Sequence, residues 1–215
     1  DGATGTEYQN AGLSDDAFIL KAESHLPDSV KAAADRLGGE FLEGCNEILN
    51  FTQPDLVEDI HVRYFEAGSD IVESNSFGST SIVLAEYGIS ELVYETSFAA
   101  AQIARSAANR CESPGSPKYV AGAVGPGTKL ISLGQTDWAT LLATYTDSFR
   151  GVLDGGADFL LLETLQDLLM VKAGIVAAKD AMAATGRKVP IVVQVTMEQT
   201  GTMLVGSDIS AALNM

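Results

Sequence analysis

The sequence has 215 residues, enough for one sizeable domain, of which 46% are hydrophobic and 20% are charged. Its formal net charge of -16, from 29 acidic and 13 basic residues, repels a phosphate backbone and makes nucleic acid a poor partner. Acidic residues, Lys and Gly interrupt every apolar run, and the N-terminus is acidic and Gly-rich, so we expect neither a membrane span nor a signal peptide.

Short apolar runs alternate with longer helical patterns along the chain. Four runs are nearly continuous in apolar residues, which predicts strands buried on both faces: Asp70–Asn75, Lys118–Val124, Asp158–Glu163 and Val189–Thr196. Apolar residues at helical spacing predict four helices, with another beginning at Ser207: Asp55–Glu66, Ser90–Asn109, Asp137–Asp154 and Leu165–Thr185. This alternation is typical of a parallel sheet covered by helices.

Two turns of the chain resemble each other. Each has a Gly suited to end a helix, Gly68 or Gly156, followed by an Asp that opens a strand. Seven residues after these glycines come Asn75 and Glu163, polar residues at the carboxyl ends of apolar strands. In a parallel α/β barrel such ends gather at the face that binds substrates. We expect a binding role for Glu163 above all, because a carboxylate there is costly to desolvate without a partner.

The number of strands sets the predicted architecture. Besides the four strands, Asp1 reads as the end of one further strand, whereas a complete (β/α)8 TIM barrel needs about 250 residues. We therefore predict an α/β fold of the (β/α)8 TIM barrel type, incomplete, with about the first five βα units. The single domain, residues 1–215, is expected to be truncated at both ends. A doubly wound open sheet is the alternative, but the turn at Gly122–Gly127 contains Pro126, which lacks an amide for phosphate.

The cysteines and histidines suggest no metal site. Cys45 and Cys111 stand alone, outside any C-x-x-C or His-rich spacing, and they fit a buried small residue and a helix-end thiol in a reducing, cytoplasmic setting. His25 and His61 read as solvated side chains, His61 on a surface helix. We assign none of these four residues to catalysis or to metal binding.

Several motifs occur in order over nearly the whole chain. They are Asp1–Thr6, Gly44–Asn50, Thr52–Asp55, Glu66–Thr80, Val124–Pro126, Glu163–Thr164 and Asp208–Ser210. Each string is weak alone, but the ordered set resembles the homocysteine methyltransferase family. The resemblance is greatest to the N-terminal homocysteine-binding module of its cobalamin-dependent methionine synthase branch.

The resemblance implies a (β/α)8 barrel in which zinc, held by three cysteines, activates homocysteine as a thiolate. Only the thiolate is a competent nucleophile, and it would attack the methyl group of methylcobalamin to give methionine. Cobalamin and methyltetrahydrofolate would bind to other modules of the full enzyme, which are the expected partners. The family's zinc cysteines have no counterpart here and are expected beyond Met215. The fragment would then hold no metal ligand and no catalytic residue of its own, and would be inactive alone.

The resemblance also implies a set of substrate-binding residues, matched position by position. They are Asp1, Gly2, Ala3, Asn75, Ser76, Phe77 and Glu163. Glu163 matches the carboxylate that receives the substrate ammonium, which charge complementarity favours. The family usually has Phe or Tyr where Leu165 follows Glu-Thr, so the pocket wall is expected to differ. Glu73 lies on the same strand face as Asn75 and either joins the pocket or makes a structural hydrogen bond.

Two other functions remain open from the sequence. One is a stand-alone homocysteine methyltransferase that takes its methyl group from betaine or S-methylmethionine. The other is a non-catalytic remnant that binds an amino acid or a partner protein.

Overall fold

The computed structural model describes residues 3–215. Its four strands are β1 Ile71–Glu73, β2 Tyr119–Val124, β3 Phe159–Leu165 and β4 Ile191–Val195. Its α-helices are α1 Thr4–Asn10, α2 Asp28–Leu37, α3 Leu49–Thr52, α4 Pro54–Glu66, α5 Ser81–Leu84, α6 Val93–Cys111, α7 Trp138–Asp154, α8 Leu168–Thr185 and α9 Ile209–Leu213. Short 3-10 helices span Asp15–Phe18, Asn46–Ile48, Ala85–Tyr87, Ser90–Leu92 and Ile131–Leu133. No helix in this range is long and apolar enough to cross a membrane.

All four strands are parallel and lie in the order β1-β2-β3-β4. Each strand therefore pairs with the next along the chain, and a long helix, α6, α7 or α8, connects successive strands. A doubly wound sheet would reverse this order at a switch point, and residues 3–215 contain no such reversal. Sequential pairing is the order of a barrel wall.

The two faces of the sheet have different cores. On the helix side, the large residues of β2 and β3 form one cluster with residues of α6, α7 and α8; Val120, Leu160, Leu162 and Phe149 all belong to it. Gly122 of β2 faces the same side. A Cβ on Gly122 would lie 2.6 Å from the Val152 side chain, so there is no room for a larger residue. The opposite face carries a small cluster, formed by Ala121, Ala123, Leu161 and Phe159.

The helices before the sheet bury their own side chains in two further clusters. One unites α2, α3 and α5 with the start of α6, and the other unites α1, α3 and α4. His61 of α4 is 1% exposed, so its prediction as a solvated side chain is wrong. The apolar period of α4 places His61 next to buried Ile60 and one turn from buried Phe65, and α4 packs against α6, α3 and β1.

The predicted strands agree with the observed ones to within a residue or two, and two details differ. β1 and β4 are not buried on both faces: Ile71 of β1 is 37% exposed, and Val192 and Val193 of β4 are 40% and 36% exposed. Each of these strands pairs with a single neighbour within the described residues. The last long helix begins at Leu168 rather than at Leu165. Leu165 still belongs to β3, and the Asp167 carboxylate caps α8 by accepting a hydrogen bond from the Leu169 amide at 2.9 Å.

Candidate substrate-binding site

A cavity of about 220 Å³ lies where β1 and β3 approach their carboxyl ends, and we call it the strand-end cavity. Glu73, Asn75 and Phe77 line it from β1 and the loop that follows, and Glu163 lines it from β3. Tyr8 of α1 also lines it. The cavity thus joins the two strand ends at which the sequence places polar residues.

The loop after β1 is fixed by a pair of asparagines. The Asn75 amide group donates to Asn50 Oδ1 at 3.0 Å and to the Asn46 carbonyl at 2.8 Å. Asn50 in turn donates to the Asn75 carbonyl at 2.9 Å and to the Thr96 carbonyl at 3.3 Å. Both side chains are buried, so these hydrogen bonds take the place of the hydrogen bonds to water that the amides lose on folding.

Two serines of the same loop bind it to β2. Ser74 Oγ accepts a hydrogen bond from the Ala123 amide at 3.1 Å, and Ser76 Oγ donates to the Ala123 carbonyl at 2.7 Å. The two hydroxyls lie 2.6 Å apart and share a hydrogen bond. Because Ser76 donates its only hydroxyl hydrogen to Ala123, Ser74 is the donor between the two serines.

Glu163 stands beside Thr164 in a β-bulge of β3. Leu162 pairs with Val193 and Leu165 pairs with Val195, so Glu163 and Thr164 together lie opposite the single residue between those partners. Thr164 has a φ of 59°, which is unusual for a β-branched residue and costs about 1–3 kcal/mol. Leu165 still packs on the helix side with Leu162, so the bulge absorbs one extra residue and leaves Glu163 lining the cavity.

The electrostatics of the cavity favour a positively charged ligand. Burial, and secondarily the charge of Glu163, raise the pKa of Glu73 to about 7. Burial also raises the pKa of Glu163. Within residues 3–215 neither carboxylate has a hydrogen bond or an ion pair, although both are more than half withdrawn from water. Two half-buried carboxyl groups that have no such bond among residues 3–215 can receive an ammonium group and would recover part of their desolvation cost on doing so.

The predicted site residues have different places in the structure. Asn75, Phe77 and Glu163 line the strand-end cavity, and Phe77 presents its ring with 45% exposure. Ser76 is fully buried beneath the loop and does not line the cavity. Ala3 is exposed, directly before α1, and its neighbours Thr4 and Gly5 line the cavity instead. The predictions for Asp1 and Gly2 lie outside the described residues.

Six residues of the cavity wall have no role in the sequence prediction: Thr4, Gly5, Tyr8, Asn46, Glu47 and Ser74. Glu47 is buried, accepts a hydrogen bond from the Gly78 amide at 2.7 Å, and has a pKa raised mainly by burial. Asn46 and Glu47 belong to the motif Gly44–Asn50, and this motif is the sequence feature that could have indicated them. Tyr8 carried no such signal, because only the tertiary structure brings α1 to the strand ends.

The described residues do not fit a zinc ion. Residues 3–215 contain no group of three His, Cys, Asp or Glu side chains that could hold a metal. Cys45 is fully buried, and burial raises the pKa of its thiol to about 12, whereas a zinc ligand must be a thiolate. Cys111 lies at the end of α6, and the pKa of its thiol is also raised by burial. Both thiols match the structural roles predicted for them.

Comparison with known proteins shows the family to which the chain is related. The family model for homocysteine S-methyltransferase matches residues 1–215. Methionine synthases from Mycobacterium leprae (strain TN) and Mycobacterium tuberculosis (strain ATCC 25618 / H37Rv) are 46% and 45% identical over 99% of this chain. The chain spans only 16% of the length of either relative.

Solved structures show the fold. The crystal structure of the homocysteine methyltransferase MmuM from Escherichia coli, in its oxidized form, matches 100% of this chain and 67% of its own, with a TM-score of 0.68 at 21% identity. Its apo form matches with a TM-score of 0.63 at 19% identity, over 100% of this chain and 65% of its own. The four-stranded sheet is thus part of a TIM-barrel-type fold, as predicted, and the chain belongs to the homocysteine S-methyltransferase family.

Proposed function

We propose that this chain is the homocysteine-binding module of a methionine synthase, and that it holds the amino-acid end of homocysteine in the strand-end cavity. The observation that carries the proposal is the pair Glu73 and Glu163, two half-buried carboxyl groups without a hydrogen bond or ion pair among residues 3–215. An ammonium group of the substrate would supply the missing positive charge.

In this proposal Glu163 is the primary receiver of the ammonium. Glu163 follows Leu162 and lies on the cavity face of β3, directly before the strained Thr164 of the bulge. Glu73 is the secondary receiver: its proton, favoured in the empty cavity by burial and by Glu163, would be lost when a cation binds. Asn75 and Ser76 would act by fixing the loop, and Phe77 by covering the ligand.

The methyl transfer itself is proposed for the complete enzyme. Methylcobalamin would be the methyl donor, held with methyltetrahydrofolate by other modules, and the zinc ligands would lie beyond Met215. Because residues 3–215 offer no ligand set for zinc, we derive only substrate binding for this chain. We place the enzyme in the cytoplasm.

The relatives favour a synthase over a stand-alone methyltransferase. Identity to the two mycobacterial methionine synthases is 45–46%, against 19–21% to the MmuM structures. A small share of the relatives' length is also what one module of a multi-module enzyme would occupy.

Calorimetric titration of the full-length protein tests the proposal with three ligands that keep the thiol. L-homocysteine has both an ammonium and a carboxylate, 4-sulfanylbutanoate lacks the ammonium, and 3-aminopropane-1-thiol lacks the carboxylate. We expect the ligand without ammonium to bind at least tenfold more weakly than homocysteine, since a desolvated charge pair is lost.

Glu163→Gln should weaken homocysteine binding at least tenfold while leaving 4-sulfanylbutanoate unaffected or slightly favoured. Glu66→Gln, an exposed carboxylate at the other end of the strands, is the matched control and should change nothing. Equal binding of homocysteine and 4-sulfanylbutanoate by the unmodified protein would exclude the proposed site.

A further inference from the structure

A cavity of about 520 Å³ lies beside α6, and we call it the α6 cavity. Tyr94 and Phe98 line it from α6, one helical turn apart, together with further residues of the same helix face. The rest of the wall comes from α3, from the start of α4 and from the segment before α2. Among the described residues it shares no lining residue with the strand-end cavity, and its volume is that of a small-molecule site.

Aromatic rings form much of the wall of the α6 cavity. The rings of Tyr94 and Phe98 stack, with 6.1 Å between their centroids and 16° between their planes. Both rings are half-buried, and two other lining residues, Phe51 and Leu26, are more deeply buried at 8% exposure each. Such rings provide a preformed surface for a flat or branched apolar group.

Glu95 gives this apolar cavity a negative charge. One of its carboxylate oxygens accepts a hydrogen bond from the Ser29 hydroxyl at 2.6 Å, and the other accepts none from residues 3–215. No Lys or Arg is among the described lining residues, and His25 lies 3.5 Å from Glu23, which balances any charge on the ring. A cation is therefore attracted by an open carboxylate oxygen and by aromatic faces, whereas the net charge of -16 repels an anion.

Asn50 connects the α6 cavity to the loop after β1. It is among the lining residues, and it donates to the Thr96 carbonyl of α6 at 3.3 Å and to the Asn75 carbonyl of the loop at 2.9 Å. The next residue, Phe51, lines the cavity from the same helix, α3. A ligand that contacts α3 and α6 together favours the arrangement in which Asn50 reaches both carbonyls. The same arrangement fixes the loop that lines the strand-end cavity.

We infer that the α6 cavity binds an organic amine with a flat or branched apolar body, and that this amine stabilises, through Asn50, the loop that lines the substrate site. The Glu95 carboxylate receives the ammonium group, and Phe51, Tyr94 and Phe98 hold the apolar body. A carboxylic acid is repelled, which separates this site from one for an amino acid. The link to substrate binding rests on the proposed function, whereas the amine site itself does not.

Three indoles test the amine site: tryptamine, tryptophol and indole-3-propionate share a ring and a two-carbon chain, which ends in an ammonium, a hydroxyl and a carboxylate respectively. In calorimetric titration of the full-length protein, the dissociation constant should be roughly fivefold lower for tryptamine than for tryptophol, and highest for indole-3-propionate. Glu95→Gln should remove the difference between tryptamine and tryptophol and leave tryptophol binding unchanged. Glu112→Gln, an exposed carboxylate at the far end of α6, is the matched control.

Glu163→Gln shows which cavity the amine occupies. Because Glu163 lines the strand-end cavity and not the α6 cavity, this variant should bind tryptamine as the unmodified protein does. Absence of tryptamine binding, equal binding of the three indoles, or loss of tryptamine binding in Glu163→Gln would each overturn the amine site.

Homocysteine titrations measure the link between the two cavities. At saturating tryptamine the dissociation constant for L-homocysteine should fall roughly threefold, and that for tryptamine should fall by the same factor at saturating homocysteine. An unchanged constant would overturn the link, and a higher one would indicate competition for one site and overturn the whole inference. Failure of the proposed function is separate, since it shows without tryptamine as equal binding of homocysteine and 4-sulfanylbutanoate.

Discussion

Asn50 and Asn75 exchange two hydrogen bonds, from Asn75 Nδ2 to Asn50 Oδ1 at 3.0 Å and from Asn50 Nδ2 to the Asn75 carbonyl at 2.9 Å. The two residues are 25 positions apart in sequence, and the bonds join the α3 segment to the loop that carries Phe77. The shape of the cavity wall thus depends on a polar contact inside the fold.

Removal of either amide should destabilise the protein. Asn75→Ala leaves the Asn46 carbonyl and the Asn50 side chain with unpaired buried groups, and we expect a loss of about 2–3 kcal/mol in the free energy of unfolding. The double variant with Asn50→Ala should lose less than the sum of the single losses, because the partners disappear together. Urea unfolding measures this, with exposed Asn109→Ala as the control. Additive losses would show that the contact contributes little.

Glu73 should make stability depend on pH. Its pKa of about 7 in the folded protein lies above its ordinary value of 4.5, so folding favours the proton. This contribution is full below about pH 4.5 and is lost as the pH rises through 7. Glu73→Gln should therefore be more stable than the unmodified protein at pH 8, by roughly 1–2 kcal/mol after allowance for partial exposure, with the difference gone near pH 5. Unfolding curves across this range would contradict the prediction if the difference did not change with pH.

His61 should act in the opposite direction. Burial lowers its pKa to about 4, from an ordinary value of 6.5, and its Nε2 atom has no hydrogen-bond partner among the described residues. Its contribution to stability is present above pH 6.5 and is lost as the pH falls through 4, because the unfolded chain takes up the proton first. Between pH 6.5 and 4, this effect should lower the free energy of unfolding of the unmodified protein by up to about 3 kcal/mol, and His61→Phe should not show this decrease. His25→Phe, at an exposed position, is the control; an unaltered pH profile in His61→Phe would refute the assignment.

Gly125 should control the position of Phe77. The Gly125 amide donates to the Phe77 carbonyl at 2.9 Å, and a Cβ on Gly125 would lie 2.6 Å from the Phe77 ring. Because that ring is partly exposed and can turn away, Gly125→Ala should cost less than about 1 kcal/mol of stability. We nevertheless expect a severalfold weaker affinity for homocysteine, measured by titration. Unchanged affinity would mean that Phe77 does not cover the ligand.

The fold could be predicted from the sequence because its signals are local. Nearly continuous apolar runs locate the four strands, and the repeated Gly-to-Asp turns mark where strands begin after helices. The start of α8 was predicted three residues too early, since Leu165 is apolar and fits both the helical pattern and the end of β3.

The site could be predicted only in part. Glu163, Asn75 and Phe77 stand at strand ends or in the adjoining loop, where sequence reasoning looks for ligands. Tyr8 reaches the same cavity from α1, through contacts between segments far apart in the chain, and no local pattern reports such contacts. The prediction for His61 is wrong for a related reason: a polar residue in a helix indicates solvent, and the sequence does not show that α4 is covered by other helices.

The bulge at Thr164 makes β3 tolerant of a change in length. Leu160, Leu162 and Leu165 all pack on the helix side, so deleting Thr164 alone would give a regular alternating strand with Glu163 still on the cavity face. Elsewhere in a strand the same one-residue deletion would turn every later side chain to the wrong face. We therefore expect that one residue can be gained or lost at this position without turning the later side chains of β3 from the inside of the barrel to the outside.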